Sequence, residues 1–248
     1  MNIYLDNSAT TQPSEQVIER MARAMREGYY NPSSLYGPAL ASERAMRACR
    51  ERIAAALSVS GMGNVIFTSG GTESNNLAIL GAVAAMHGPQ HVALSAVEHP
   101  SVGEAFERLR AAGHKVTVIG VDQAGRLDFE ALEAALKEPV SLVSCMQVNN
   151  ETGAIMDIER LSRMVRESAS GALIHVDGVQ GFMRLPFDAR RVDMYTLSAH
   201  KIQGPKGVGA LWARRGVRLI ARQVGGGQDV YKRQGGTGSG SCICRKSR

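Results

Sequence analysis

The amino-acid sequence predicts an α/β protein with a largely parallel sheet. Strand-like runs rich in Val, Ile and Leu alternate with helical patterns along most of the chain, and this order is typical of βαβ units. With 248 residues, 44% of them hydrophobic, the chain can form one large domain or two small ones. Its apolar runs are shorter than the ~18 to 20 residues of a membrane span, and no export leader is recognisable, so we expect an unexported protein that does not enter a membrane.

The elements follow in order from local patterns. A helix is expected after Ser14, because this capping residue precedes acidic residues and then apolar residues at helical spacing. An amphipathic helix follows at 38–57, and the β-branched content of 64–68 favours a buried strand. The remaining predicted strands are 92–97, 115–121, 140–147, 173–176, 194–197 and 208–212, and the remaining helices follow the glycine turn at 77–80 and span 101–112, 129–137 and 158–168.

Positive charge is concentrated at the C-terminus. The formal net charge is +6, but residues 229–248 carry +4 of it, so the preceding 228 residues carry only +2. That distribution, together with 5% aromatic residues, argues against a nucleic-acid partner. Four scattered cysteines are too few for a disulfide scaffold and suit a reducing cytosol.

The C-terminal segment also differs in composition from the rest of the chain. The glycine-rich run at 235–241 has the character of a flexible linker. Residues 229–234 are what GAT GTG TAT AAG AGA CAG encodes, and this resembles a transposon end used to build sequencing libraries. We therefore expect residues 229–248 to be a non-native flexible tail produced by a sequencing artefact.

A glycine-rich turn at 68–76 is the first candidate for chemistry. It follows a predicted strand and opens a helix, so backbone N–H groups near Gly71 and Thr72 can approach an anion such as phosphate. An ordinary glycine turn with Thr72 or Ser74 as the helix cap explains the same residues equally well.

A second candidate is the segment Ser198-Ala199-His200-Lys201, which follows another predicted strand. A lysine beside hydroxyl and imidazole donors is placed like one that forms a Schiff base, whereas the alternative is a solvated surface lysine.

Polar residues follow three further strands. Asp177 and Gln180 come at the carboxyl end of a strand, where open α/β sheets bind ligands, and helix capping is the competing role for Asp177. His99 and Asn150 occupy equivalent positions, where they can also be ordinary loop residues.

Taken together, these segments resemble the pyridoxal-phosphate enzymes of the class V aminotransferase type, and especially the cysteine desulfurases of the NifS and IscS kind. The resemblance covers residues 1–228. It rests on the linked motifs at 4–11, 31–34, 69–76, 148–151, 177–180, 198–201 and 204–209. It implies a fold-type I large domain with helices on both sheet faces at 15–228, preceded by an N-terminal arm at 1–14.

The resemblance also implies roles for individual residues. Lys201 would bind pyridoxal phosphate covalently and move the substrate α-proton, Asp177 would pair with the ring nitrogen, and His99 would stack on the ring. Gln180 and Asn150 would bind the ring hydroxyl region or the substrate carboxylate. The phosphate would be held by Gly71, Thr72, Ser198 and His200. L-Cysteine would be the substrate, alanine and an enzyme persulfide the products, and no metal is expected.

The match to the family pattern is expected to end at residue 228, before the C-terminal small domain of the family. The sulfur-accepting cysteine and a substrate-binding arginine lie in a C-terminal small domain, which is missing here, so we expect this chain to be inactive. Cys242 and Cys244 fall in the suspect tail, and Cys49 and Cys145 are interpreted as packing residues. The family implies a homodimer that passes sulfur to an acceptor or scaffold protein for iron–sulfur clusters or thio-cofactors in the cytoplasm. The alternatives are another class V enzyme, such as a selenocysteine lyase or an aminotransferase, and a non-catalytic fragment.

Overall fold

A computed structural model describes residues 3–169 and 171–223, where seven strands form a single sheet. The predicted tail at 229–248 and the predicted boundary at residue 228 lie outside these residues. The strands are β1 (Gly63–Thr68), β2 (His91–Ser95), β3 (Lys115–Ile119), β4 (Leu142–Met146), β5 (Leu173–Asp177), β6 (Met194–Ser198) and β7 (Gly209–Arg214).

The sheet has the order β1-β7-β6-β5-β4-β2-β3. Only β7 runs antiparallel to its neighbours β1 and β6, and the other neighbouring strands are parallel. The reason is the connection between β6 and β7, which is too short for the crossover that a parallel pair requires. The expected largely parallel sheet is therefore confirmed.

Six α-helices accompany the strands in the described part of the chain: α1 (Glu15–Glu27), α2 (Gly37–Ala56), α3 (Gly71–Val83), α4 (Pro100–Ala111), α5 (Phe129–Ala135) and α6 (Ile158–Ser168). The predicted cap at Ser14 is confirmed, because its side chain accepts a hydrogen bond from the Val17 amide. Asp128 and Asp157 cap α5 and α6 in the same way. Some predicted ends were wrong by one or two residues: Val97, Val121 and Val208 were predicted in strands but lie outside the observed β2, β3 and β7.

Helices cover both faces of the sheet, and alternate strand residues fill the two cores. On β7, Trp212 packs into the core beneath α2, α5 and α6, whereas Leu211 packs into the core beneath α3 and α4. No helix in the described ranges combines the length and apolarity that crossing a membrane requires.

This topology brings five loops to one edge of the sheet. The strands β2, β4, β5 and β6 are parallel neighbours, so their carboxyl ends lie side by side. Strand β1 points the same way as β6, because both are antiparallel to β7. The glycine turn after β1 therefore reaches the same edge.

Candidate active site

A cavity of about 380 Å³ lies at this edge of the sheet. All the residues predicted for the site line it: Gly71, Thr72, His99, Asn150, Asp177, Gln180, Ser198, His200 and Lys201. They come from the carboxyl ends of five strands and from the segments that follow these strands, and the sheet order brings them together. Ser8 and Ala9 of the N-terminal segment, together with Asn75, also line the cavity.

The glycine turn places the start of α3 at the cavity wall. A side chain at Gly71 would bring its Cβ within 2.8 Å of Val179 Cγ2, so a larger residue here would require Val179 to shift. The first turn of a helix has free N–H groups and the positive end of the helix dipole, which together favour an anion. Ser198 Oγ adds a buried hydroxyl that has no hydrogen-bond partner among the described residues.

Lys201 ends a short 3₁₀ turn, Ala199–Lys201, directly after β6. Its Nζ donates hydrogen bonds to the carbonyl oxygens of Ser8 and, at 2.9 Å, Ala9. Partial burial and the nearby Arg184 guanidinium lower the pKa of Lys201. A lowered pKa leaves more of the amine unprotonated at neutral pH, as a nucleophile requires.

Asp177, at the end of β5, is buried and only 5% exposed. Its Oδ1 accepts from the Val179 amide at 3.0 Å, and its Oδ2 accepts from Asn75 Nδ2 at 2.7 Å. Burial raises the pKa of Asp177, although these bonds and the nearby His99 and Lys201 oppose the shift. A buried carboxylate of this kind is stabilised by a cation placed against it.

The other predicted residues surround these groups. Gln180 Nε2 donates to the Ser8 carbonyl at 2.8 Å, so it connects the cavity to the N-terminal segment. His200 Nδ1 lies 3.1 Å from Thr10 Oγ1, and burial together with Lys201 and Lys206 lowers the pKa of His200. Asn150 is partly buried in the loop after β4, and His99 is exposed to the cavity at the start of α4.

Three features of this region were not predicted from the sequence. Asn75 contacts Asp177, and the carbonyls of Ser8 and Ala9 contact Lys201. Glu98 lies behind the cavity, where burial raises its pKa to about 8. Asn75 and Ser8 belong to the motifs that carried the family resemblance, and this was the only signal for them.

Neither of the two cysteines in the described part of the chain, Cys49 and Cys145, lines the cavity. Cys145 is buried in β4, where burial raises its pKa, as its interpretation as a packing residue implied. The same interpretation was wrong for Cys49, which is exposed on α2 because its helix turns that position towards solvent. Cys242 and Cys244 lie outside the described residues.

Comparison with known proteins identifies the family. The family model described as aminotransferase class-V matches residues 3–239. The chain belongs to the class-V aminotransferase family. Its curated relatives include the cysteine desulfurases of Nostoc sp., 40% identical over 235 residues, and of Cereibacter sphaeroides, 42% identical over 236 residues. Both alignments cover 94% of this chain, which spans 58% and 60% of the respective relatives.

Solved structures agree with this class-V assignment. A NifS-like protein superposes with a TM-score of 0.88 at 37% sequence identity. The superposition covers 92% of this chain and 63% of the NifS-like chain. SspA, solved in complex with cysteine, gives a TM-score of 0.85 at 33% identity and covers 92% of this chain and 66% of its own. The fold-type I assignment is thus confirmed.

Class-V aminotransferases use pyridoxal phosphate, and the cavity residues fit this group. The unpartnered Ser198 hydroxyl and the start of α3 suit its phosphate. The buried Asp177 carboxylate suits its protonated ring nitrogen, and the amine of Lys201, whose pKa is lowered by partial burial, suits its aldehyde.

Proposed function

We propose that this chain is the large-domain part of a cysteine desulfurase, with the cavity at the carboxyl edge as its pyridoxal-phosphate site. The observation that carries the proposal is the convergence of Lys201, Asp177 and the unpartnered Ser198 hydroxyl on one cavity. The names of the curated relatives and the cysteine complex of SspA support L-cysteine as the substrate.

Each side chain then has a task. Lys201 would hold the cofactor and would move the proton of the substrate α-carbon. Asp177 would keep the ring nitrogen protonated, and His99 would stack on the ring. Asn150 and Gln180 orient the ring hydroxyl region or the substrate carboxylate. Phosphate binding is assigned to Gly71, Thr72, Ser198 and His200.

When bound, pyridoxal phosphate supplies an electron sink that stabilises negative charge at the substrate α-carbon. In the overall reaction the C–S bond of cysteine breaks and an S–S bond forms with an acceptor thiol, which gives alanine and a persulfide. Neither Cys49 nor Cys145 lines the cavity. We therefore place the acceptor thiol in a part of the protein outside the described residues.

The wider setting belongs to the same proposal. A homodimer is supported by large apolar side chains left exposed near the N-terminus, including Leu5, Met25 and Leu35, since exposed apolar surface marks an interface. We further propose a cytoplasmic enzyme that transfers sulfur to an acceptor or scaffold protein for iron–sulfur cluster or thio-cofactor synthesis.

The proposed domains are the arm at 1–14, the large domain at 15–228 and the non-native tail at 229–248. The nucleotide record that encodes this chain tests the tail, because any codons other than GAT GTG TAT AAG AGA CAG at positions 229–234 would remove the basis for the artefact.

The cofactor site is tested by covalent labelling. The purified chain is mixed with pyridoxal phosphate, reduced with borohydride and digested, and the labelled lysine is identified by mass spectrometry. We expect the label at Lys201, its loss in Lys201→Ala and its retention in Lys206→Ala, whose lysine lines the neighbouring pocket. Label at another lysine, or none in a folded sample, contradicts the assignment.

Turnover provides a separate readout. With L-cysteine and pyridoxal phosphate, we expect no sustained alanine production by this 248-residue chain, because neither described cysteine lines the cavity. Sustained production would show that another thiol serves as acceptor. A protein extended by a region bearing a cysteine at the cavity should form alanine and persulfide.

A further inference from the structure

A chain of hydrogen bonds connects Asp177 to His99 through two residues that have no assigned role. Asn75 Nδ2 donates to Asp177 Oδ2 at 2.7 Å and to Ser101 Oγ at 2.9 Å. Ser101 Oγ lies 2.8 Å from His99 Nδ1, and the Ser101 backbone N–H donates to the same nitrogen at 3.1 Å. The two intermediate residues are buried: Asn75 is 1% exposed and Ser101 is 8% exposed.

The donors and acceptors in this chain can be assigned one after another. A carboxylate only accepts, so the Asn75 amide must turn its NH₂ group towards Asp177. The second hydrogen of that NH₂ group then points to Ser101 Oγ, which accepts it. The Ser101 hydroxyl hydrogen is left to donate to His99 Nδ1.

The tautomer of His99 follows from the same logic. Two donors, the Ser101 hydroxyl and the Ser101 backbone N–H, face Nδ1, so this nitrogen carries the lone pair. The proton of the neutral ring therefore lies on Nε2. No described residue bonds to Nε2, and His99 lines the cavity, so the Nε2–H group is available to the contents of the cavity.

We propose that Asn75 and Ser101 are positioning residues that hold the Asp177 carboxylate and fix His99 as the tautomer protonated on Nε2. The role towards the cofactor rests on the proposed function. In this arrangement the neutral His99 ring presents a hydrogen-bond donor, Nε2–H, to a bound ligand, and its lone-pair nitrogen Nδ1 faces Ser101. Asn75 keeps one Asp177 oxygen in place, while the remaining carboxylate lone pairs stay available for a ring nitrogen.

The tautomer is tested without any cofactor. The full chain is labelled with ¹⁵N-histidine, and the His99 signals are assigned by their loss in His99→Gln. We expect a protonated, pyrrole-type Nε2 and an unprotonated, pyridine-type Nδ1. Ser101→Ala should move both signals towards the mixed values of a free histidine, and Ser101→Thr, which keeps the hydroxyl, should restore them. Ser162→Ala is the matched control, because it removes a buried helical hydroxyl that has no partner in the described structure.

Pyridoxal-phosphate binding gives the second readout, with the dissociation constant measured by absorbance titration. Asn75→Leu should weaken binding by about tenfold or more, since it removes a hydrogen bond to a charged, buried carboxylate. Asn76→Leu is the control on the same helix, because the Asn76 amide bonds to the Thr72 carbonyl instead, and it should change binding less than threefold.

A neutral His99 ring with its proton on Nδ1 in the wild-type chain overturns the tautomer assignment, and His99→Gln, used to assign the signals, is the only variant that this result needs. Unchanged His99 signals in Ser101→Ala overturn the role of Ser101. Wild-type affinity in Asn75→Leu overturns the role of Asn75. If the wild-type chain binds no pyridoxal phosphate, the proposed function fails, whereas the NMR result still decides the tautomer.

Discussion

Replacing Glu98 with glutamine should remove a large pH dependence from the stability of this protein. Glu98 Oε1 accepts hydrogen bonds from Ser95 Oγ and from the Met146 amide at 2.7 Å. Its Oε2 is buried and has no partner in the described structure. Burial, with a smaller contribution from the charge of Asp177, raises the pKa of Glu98 from 4.5 to about 8, although the hydrogen bonds from Ser95 and Met146 oppose the shift. The other ionisable group that interacts with it is the Cys145 thiol.

The sign and magnitude follow from proton linkage. Between pH 4.5 and 8 the folded chain keeps this proton while the unfolded chain releases it, so the free energy of unfolding falls as the pH rises through this window. At ~1.4 kcal/mol per pH unit, the loss attributable to Glu98 is about 3 kcal/mol between pH 5 and pH 8. Glutamine keeps the acceptor at Oε1 and cannot ionise, so Glu98→Gln should lack this loss.

The assay is urea unfolding of the wild-type chain and Glu98→Gln at several pH values from 5 to 8. The variant should gain stability relative to wild type as the pH rises, by about 3 kcal/mol over the range. Glu138→Gln is the control, because Glu138 is exposed, its interaction with Lys115 lowers its pKa, and its removal should not reproduce this gain. A wild-type-like pH dependence in Glu98→Gln would refute the claim that Glu98 is protonated.

Two further predictions concern packing and the lysine. Gly178→Ala should destabilise the fold by about 3 kcal/mol or more in urea unfolding, because the new Cβ would lie 1.9 Å from Tyr195 Cζ. Gly103→Ala, at a helical glycine with open space, should be neutral or stabilising, and equal effects of the two would contradict this packing. Arg184→Gln should raise the pKa of Lys201 by removing a nearby positive charge, so the pH at which the Lys201 amine reacts with pyridoxal phosphate should rise. If Lys201 in Arg184→Gln reacts at the same pH or at a lower one, the Arg184 charge is not what lowers the pKa of Lys201.

Local patterns were enough to predict most of the secondary structure. The helix at 158–168 was predicted to the residue, because Asp157 caps it and its apolar residues follow a helical period. The strand order was not predictable in the same way, since the position of β2 between β3 and β4 depends on packing between segments far apart in the chain.

The residues of the candidate site could be predicted from the sequence, but some of the contacts between them could not. Its loop residues could be named because parallel strands bring their carboxyl ends to one edge, and because several motifs matched one family. The hydrogen bond between Asn75 and Asp177 joins residues 102 positions apart in the chain. The hydrogen bonds from Lys201 to the carbonyls of Ser8 and Ala9 join residues more than 190 positions apart. Such contacts depend on side-chain direction and burial in the folded chain, which a single sequence does not reveal.

A crystal structure of the chain soaked with pyridoxal phosphate tests the central claim most directly, namely that this cavity binds the cofactor through Lys201. We predict electron density that continues from Lys201 Nζ into the ring, with the ring nitrogen beside Asp177 and the phosphate against Ser198 and the start of α3. Density attached to another lysine, or a phosphate bound away from Ser198 and α3, would contradict the account.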